Sequence, residues 1–167
     1  MKVHKVILVV FVAFIALTAL QCEKEKQGID GLPPITQEGK NTFGFLLNGE
    51  VWLPKGGLLD QKLDLSYDPN YKGGTFNIIA SQNSDQYMAL GNDGINQSGV
   101  YPLYVYFSDT STECDYLIDR TKSVGILTIS KIDLTNKFIS GTFEFKLEKE
   151  GCPDINATDG RFDLKIE

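Results

Sequence analysis

The feature that most constrains the fold is an alternation of apolar and polar residues that begins near residue 42 and continues to the end of the chain. Apolar residues recur there at every second position, which is typical of half-buried β-strands, and no window shows helical spacing. Turn-forming sequences such as DPNYKGG, GNDGINQSG and SDTST separate the segments. This organisation predicts an all-β fold, either an antiparallel β-sandwich or a small barrel, of about nine to ten strands.

The clearest hairpin is predicted in the sequence TFGFLLNGEVWLP, over residues 42–54. The Asn-Gly dipeptide at its centre tolerates the positive φ values of a two-residue type I′ turn. That turn places Phe45 opposite Trp52, so Trp52 is predicted to be a core residue rather than a platform for a ligand.

A second hairpin is predicted over residues 125–147, with its turn at residues 133–137. In the C-terminal strand, Phe162 and Leu164 are predicted to face the core. Arg161 and Asp163 alternate with them and are predicted to face water. Further strands are predicted at residues 62–67, 75–80, 86–90, 101–107 and 114–118.

The first 21 residues are predicted to be a signal peptide. Two lysines precede an apolar run over residues 6–20, which is shorter than the ~20 residues that span a bilayer. Cys22 follows this run after Gln21 and predicts a bacterial lipoprotein that is acylated at Cys22 and exported to the cell envelope, at the outer membrane. Ordinary cleavage and an uncleaved signal anchor are the alternatives.

The segment after Cys22 has a different composition from the rest of the chain. Residues 22–41 contain few apolar residues and several glycines and prolines, so they cannot bury enough surface to offset the entropy of ordering. We therefore expect a flexible tether over residues 22–41 and a single all-β domain over residues 42–167.

Histidine and basic residues limit the possible functions. The chain has a single histidine, His4, which lies in the predicted signal peptide, so Ser-His-Asp hydrolysis and histidine-bearing zinc sites are excluded from the mature protein. The formal net charge is −6 at pH 7, and no cluster of Lys and Arg is present to bind nucleic acid. No cofactor is predicted.

Two cysteines remain beside Cys22. An even pair in an oxidising exported compartment predicts a disulfide between Cys114 and Cys152. The acidic stretch at residues 154–160 fails as an EF-hand because Gly160 occupies position 7 of the loop instead of position 6. We expect an ordinary turn there, and no metal site.

The sequence VYPLYVYF at residues 100–107 carries the most suggestive binding feature. If Leu103 and Val105 face the core, Tyr104 and Tyr106 project from the opposite face of the strand. Exposed rings there could stack on sugars or pack against a partner protein. The alternative is that both tyrosines serve ordinary packing.

Three segments in order, GKNTFGFLLNGEVW, ISGTFEFKL and DGRFDLKI, together with the preceding tether, resemble a group of lipoproteins of unknown function from Bacteroidota. The resemblance covers residues 22–167. It implies an exported, lipid-anchored, all-β domain, and it implies no reaction and no catalytic residues.

The sequence as a whole favours a non-enzymatic binding or interaction module that is held at the membrane by its lipid, with a glycan or a protein as its partner. One alternative is a lipocalin-like closed barrel that carries a small apolar ligand. Another is a glycosidase that depends on two carboxylates, since that chemistry needs no histidine.

Overall fold

A computed structural model describes residues 29, 31–56, 62–117 and 124–166. These residues form ten β-strands, which confirms the all-β prediction. The strands are β1 (Thr42–Leu47), β2 (Glu50–Trp52), β3 (Leu63–Asp68), β4 (Thr75–Gln82), β5 (Gln86–Asn92), β6 (Gly99–Asp109), β7 (Cys114–Tyr116), β8 (Gly125–Asp133), β9 (Phe138–Leu147) and β10 (Ile155–Lys165). The described part of the chain has no helix long and apolar enough to cross a membrane.

The strands form one curled antiparallel sheet in the order β2-β1-β10-β9-β8-β6-β5-β4-β3, with β7 paired to β6. β6 holds the two halves of the sheet together, because its first residues pair with β8 and its last residues pair with β5 and β7. Beyond β2, the backbone N–H of Lys55 donates to the carbonyl of Ser81 in β4 at 2.9 Å. The curled sheet forms a half-barrel, and this bond joins residues near its two edges.

The β1–β2 hairpin has the predicted register, with Phe45 opposite Trp52. Asn48 and Gly49 have φ values of 51° and 88°, as a type I′ turn requires. Trp52 is 2% exposed, and its ring centroid lies 4.9 Å from that of Phe45. Trp52 is therefore a core residue, as predicted.

Aromatic side chains fill the space inside the curled sheet. Phe43 stacks on Phe143 with ring centroids 5.3 Å apart. Phe76 of β4 and Phe162 of β10 meet at 5.5 Å, although several strands separate them in the sheet order, so this contact crosses the interior. Each fully buried ring of this kind stabilises the fold by roughly 1.5–3 kcal/mol.

The outer face of β10 differs from the prediction. Arg161 and Asp163 were predicted to face water, but they are only 6% and 1% exposed. Residues 31–41 lie across this face, and the Arg161 Nη1 donates to the carbonyl of Pro33 at 3.5 Å. The prediction that residues 22–41 form a tether is thus wrong for residues 31–41, which belong to the folded domain and which we call the strap.

The strap is held by one carboxylate, that of Asp163. Asp163 accepts hydrogen bonds from Thr36 Oγ1 at 2.6 Å, Glu38 N at 3.0 Å, Gly39 N at 2.8 Å, Lys40 N at 3.2 Å and Ser140 Oγ at 2.7 Å. Burial by itself raises the pKa of Asp163. The hydrogen bonds from the strap and from Ser140 outweigh that effect, and the pKa falls from its ordinary 3.8 to about 2.

This shift makes the stability of the fold depend on pH. A carboxyl whose pKa is lower in the folded state stabilises the protein above its unfolded pKa, and this contribution disappears as the pH falls toward the folded value. We therefore expect Asp163 to contribute about 2 kcal/mol above pH 4 and almost nothing near pH 2. Urea unfolding of the wild type and of Asp163→Asn, measured across this range, should show a difference that shrinks with acidity, whereas a constant difference would contradict the assignment.

The region around residues 154–160 also differs from the prediction. It is the first part of β10 and not an ordinary turn. The pairing of β10 with β9 shifts register between Ala157 and Gly160, where Asp159 has a φ of 55°. One extra residue in β10 forms a bulge within the strand. Its acidic and glycine residues are also typical of turns, which is why the sequence alone predicted a turn here.

The predicted disulfide between Cys114 and Cys152 is confirmed, with Cα atoms 6.0 Å apart. It joins β7 to the connection between β9 and β10. Beside it, the hydroxyl of Tyr116 donates to the carbonyl of Pro153, and Lys149 Nζ donates to the carbonyl of Asp115 at 2.9 Å. β7, only three residues long, is thus fixed by the connection between β9 and β10 as well as by its pairing with β6.

Candidate functional site

Tyr104 and Tyr106 lie on the outer face of β6. Leu103 and Val105, which alternate with them along the strand, are buried. The two rings do not form one platform. Tyr106 contacts Tyr87 of β5, with ring centroids 5.8 Å apart, and its hydroxyl donates to Asp115 Oδ1 at 3.5 Å. Tyr104 instead lines a separate groove on the outer face, so only one of the two predicted residues contributes to it.

The groove has a volume of about 630 Å³ and crosses strands β4, β5 and β6. Its centre is a single cross-strand row in which Gly91 of β5 pairs with Asn77 on one side and with Tyr104 on the other. Because position 91 carries no side chain, the row has a gap between two polar side chains. We call this depression the Tyr104 groove.

The gap at position 91 is required by the backbone. A Cβ atom placed there would lie 2.2 Å from the carbonyl oxygen of Phe76 and 3.1 Å from the Cα of Asn77. The neighbouring strand approaches too closely for any side chain, which is a recurrent reason for glycine within a strand. The floor of the Tyr104 groove is therefore fixed by the fold.

Three polar side chains line one end of the groove. Lys72 Nζ lies 3.0 Å from Asp93 Oδ2, and Thr75 Oγ1 donates to Asp93 Oδ1 at 2.9 Å. Both charged side chains are partly exposed, so their ion pair adds little to stability. Its main consequence is that two charges at the rim cancel each other.

The loop that carries Asp93 is anchored to the β3–β4 turn. Ile95 is fully buried, its backbone N–H donates to the carbonyl of Gly74 at 2.9 Å, and its own carbonyl accepts from the Tyr67 hydroxyl at 2.9 Å. Gly74, with a φ of +106°, could not carry a Cβ because that atom would lie 2.0 Å from the Ile95 carbonyl oxygen. The polar end of the groove is thus held in place before any ligand binds.

Two groups in the Tyr104 groove have unused hydrogen-bonding capacity. The Asn77 side-chain amide and the Tyr104 hydroxyl make no hydrogen bond with any residue that the structure describes. Both side chains are partly exposed, so water satisfies them in the free protein. An incoming ligand can exchange for this water without breaking a bond inside the protein.

The remaining site predictions concern metal and lipid. Within the described ranges, no group of three or more His, Cys, Asp or Glu side chains is placed to hold a metal ion. Asp93 is the one carboxylate among the described residues that line the Tyr104 groove. Cys22, the predicted lipidation site, lies outside the described residues.

No protein-family model, curated protein or solved structure matches the chain. The resemblance to Bacteroidota lipoproteins stays a prediction.

Proposed function

We propose that the protein is a non-enzymatic binding module of the bacterial cell envelope, anchored by a lipid at Cys22, that binds its ligand in the Tyr104 groove. The observation that carries the proposal is the row of Asn77, Gly91 and Tyr104, in which an aromatic ring and an unused amide flank a floor that can hold no side chain. Small-molecule sites use fixed polar groups of this kind to orient a ligand.

The packing of the interior supports the outer face as the binding surface. A lipocalin-like carrier needs a cavity inside its barrel, but here the inward-facing rings of β1, β9 and β10 contact one another and those of other strands. A ligand of useful size would have to displace these rings. Binding on the outer face requires no such rearrangement.

The content of the groove supports binding in preference to catalysis. Glycoside hydrolysis needs two carboxyl groups on either side of the scissile bond, and the described lining of the Tyr104 groove supplies Asp93 alone. That carboxylate already accepts from Thr75 and pairs with Lys72. A second groove, of about 340 Å³, is lined by Glu144, Asp159 and Arg161. Arg161 Nη2 lies 3.9 Å from the Asp159 carboxylate, and Arg161 also donates to the backbone carbonyls of Asp159 and Pro33.

The disulfide supports an exported location. Disulfides form and persist in oxidising compartments and are rare in the cytosol, and Cys114 and Cys152 are joined here. Export agrees with the predicted signal peptide and with acylation at Cys22.

A fragment screen by NMR tests the proposed role of the groove. We expect fragments to shift the backbone amide signals of Asn77, Gly91 and Tyr104 more than those of any other region. Tyr104→Ala should abolish these shifts, because it removes one wall of the groove. Tyr106→Ala removes the other outward-facing tyrosine of the same strand and should leave them intact, which makes it the matched control.

Two results would contradict the proposal. One is a folded wild type in which no fragment perturbs the groove up to millimolar concentrations. The other is a set of fragments whose shifts respond to Tyr106→Ala and not to Tyr104→Ala, since this would move the site to the Tyr87–Tyr106 pair.

A further inference from the structure

We infer that the ligand of the Tyr104 groove is an uncharged saccharide, with one face of a sugar ring against the Tyr104 ring and its hydroxyls on Asn77 and the Lys72–Asp93 pair. The inference rests on the proposed function of the groove and adds the chemical class of the ligand. The ring, the polar groups, the charge and the strand positions of the groove each support it.

The ring favours a ligand with a flat apolar face. Tyr104 is partly exposed on the outer face of β6 and, unlike Tyr106, makes no ring contact with another aromatic residue of the described chain. The face of an aromatic ring is electron-rich and attracts weakly positive C–H groups. A sugar ring presents several axial C–H groups on one side, which gives such a surface.

The polar groups favour a ligand that donates and accepts at neighbouring positions. The Asn77 amide offers a carbonyl oxygen and an NH₂ group, while Lys72 donates and Asp93 accepts at the rim. Sugar hydroxyls both donate and accept, so they can satisfy all of these groups. A wholly apolar ligand would cover the Asn77 amide without giving it a partner, which is costly.

The charge favours a neutral ligand. The two charged residues that line the groove, Lys72 and Asp93, are paired at 3.0 Å, so the described lining carries no net charge. The chain as a whole has a formal charge of −6, which repels anions. A phosphate or carboxylate would find no unpaired cation among the described lining residues.

The strand positions disfavour an extended peptide. Peptides that bind sheets usually add a strand at an exposed edge and pair with its backbone. The Tyr104 groove crosses β5, whose two neighbours β4 and β6 already pair with it. Recognition there has to use side chains, which suits a compact ligand rich in hydroxyl groups.

The test is an NMR titration of the full chain with a panel of matched probes. The panel contains neutral mono- and oligosaccharides, their uronic acid counterparts, a nucleoside and a tripeptide. We expect neutral saccharides to shift the amides of Asn77, Gly91 and Tyr104, and the uronic acids to bind more weakly. Tyr104→Ala should raise the dissociation constant for the saccharide about tenfold or more. Tyr104→Phe keeps the ring, so its dissociation constant should stay within about threefold of the wild-type value, as should that of Tyr106→Ala.

Each other outcome overturns the inference in a distinguishable way. If the nucleoside or the tripeptide shifts the groove amides and no saccharide does, the class of ligand is wrong but the groove remains a binding site. If saccharides bind equally well to Tyr104→Ala, they bind elsewhere. If no probe shifts the groove amides of the folded wild type and the fragment screen is also silent, the proposed function fails together with the inference.

Discussion

Replacing Asp163 with alanine is expected to lower the free energy of unfolding by about 3–5 kcal/mol. The carboxylate accepts five hydrogen bonds from Ser140 and from the strap. Removing it leaves these donors without an acceptor, at about 1–3 kcal/mol for each donor that stays buried. Part of the cost is recovered because a released strap can reach water. Urea unfolding of the two proteins at neutral pH measures the difference.

A matched control separates this network from the mere loss of a negative charge. Asp154 is also a carboxylate near β10, but its side chain is 64% exposed and lies 3.8 Å from the Lys146 ammonium group. Asp154→Ala should therefore change stability by no more than about 0.5 kcal/mol.

Hydrogen exchange gives a second, local readout of the same substitution. In Asp163→Ala we expect the amides of Glu38, Gly39 and Lys40 to exchange much faster, because all three donate to this carboxylate in the wild type. A small change in stability together with unchanged protection at these three amides would show that the strap is held by other contacts.

The β1–β2 hairpin and the burial of Asp163 show what the sequence could and could not predict. The hairpin register depends on Asn48 and Gly49, which lie between the strands that they connect, so the information is local. Asp163 is covered by residues 123 to 127 positions earlier in the chain. Alternation within a strand reports which residues share a face, but it cannot report what a distant segment places on that face.

The residues of the Tyr104 groove could likewise be predicted only in part from the sequence. The outward position of Tyr104 could be predicted, because alternation along β6 is a local property. Asn77 and Gly91 could not be assigned to it, because their places beside Tyr104 depend on the registers of β4, β5 and β6. Gly91 also begins GNDGINQSG, which was predicted to be a separator between strands, yet it lies within β5.

Breaking the disulfide between Cys114 and Cys152 is expected to lower the free energy of unfolding by about 3–4 kcal/mol. The two cysteines are 38 positions apart, and closing a loop of that length restricts the unfolded chain by about this amount in the chain-entropy model. Guanidinium unfolding of the wild type and of a Cys114→Ala, Cys152→Ala variant measures the effect. Adding a reductant should lower the free energy of unfolding of the wild type to about that of the variant and leave the value of the variant unchanged. Equal free energies of unfolding without a reductant would contradict the prediction.

The same variant should retain the Tyr104 groove, because the disulfide and the groove depend on different neighbours of β6. β7 pairs with β6 only at Phe107, Ser108 and Asp109, whereas Tyr104 pairs with Gly91 of β5. We therefore expect faster amide exchange in β7, with unchanged fragment-induced shifts at Asn77 and Gly91. If the variant lost the fragment-induced shifts together with the amide protection in β7, the outer face of β6 would depend on contacts with β7. The groove would then depend on an oxidising environment.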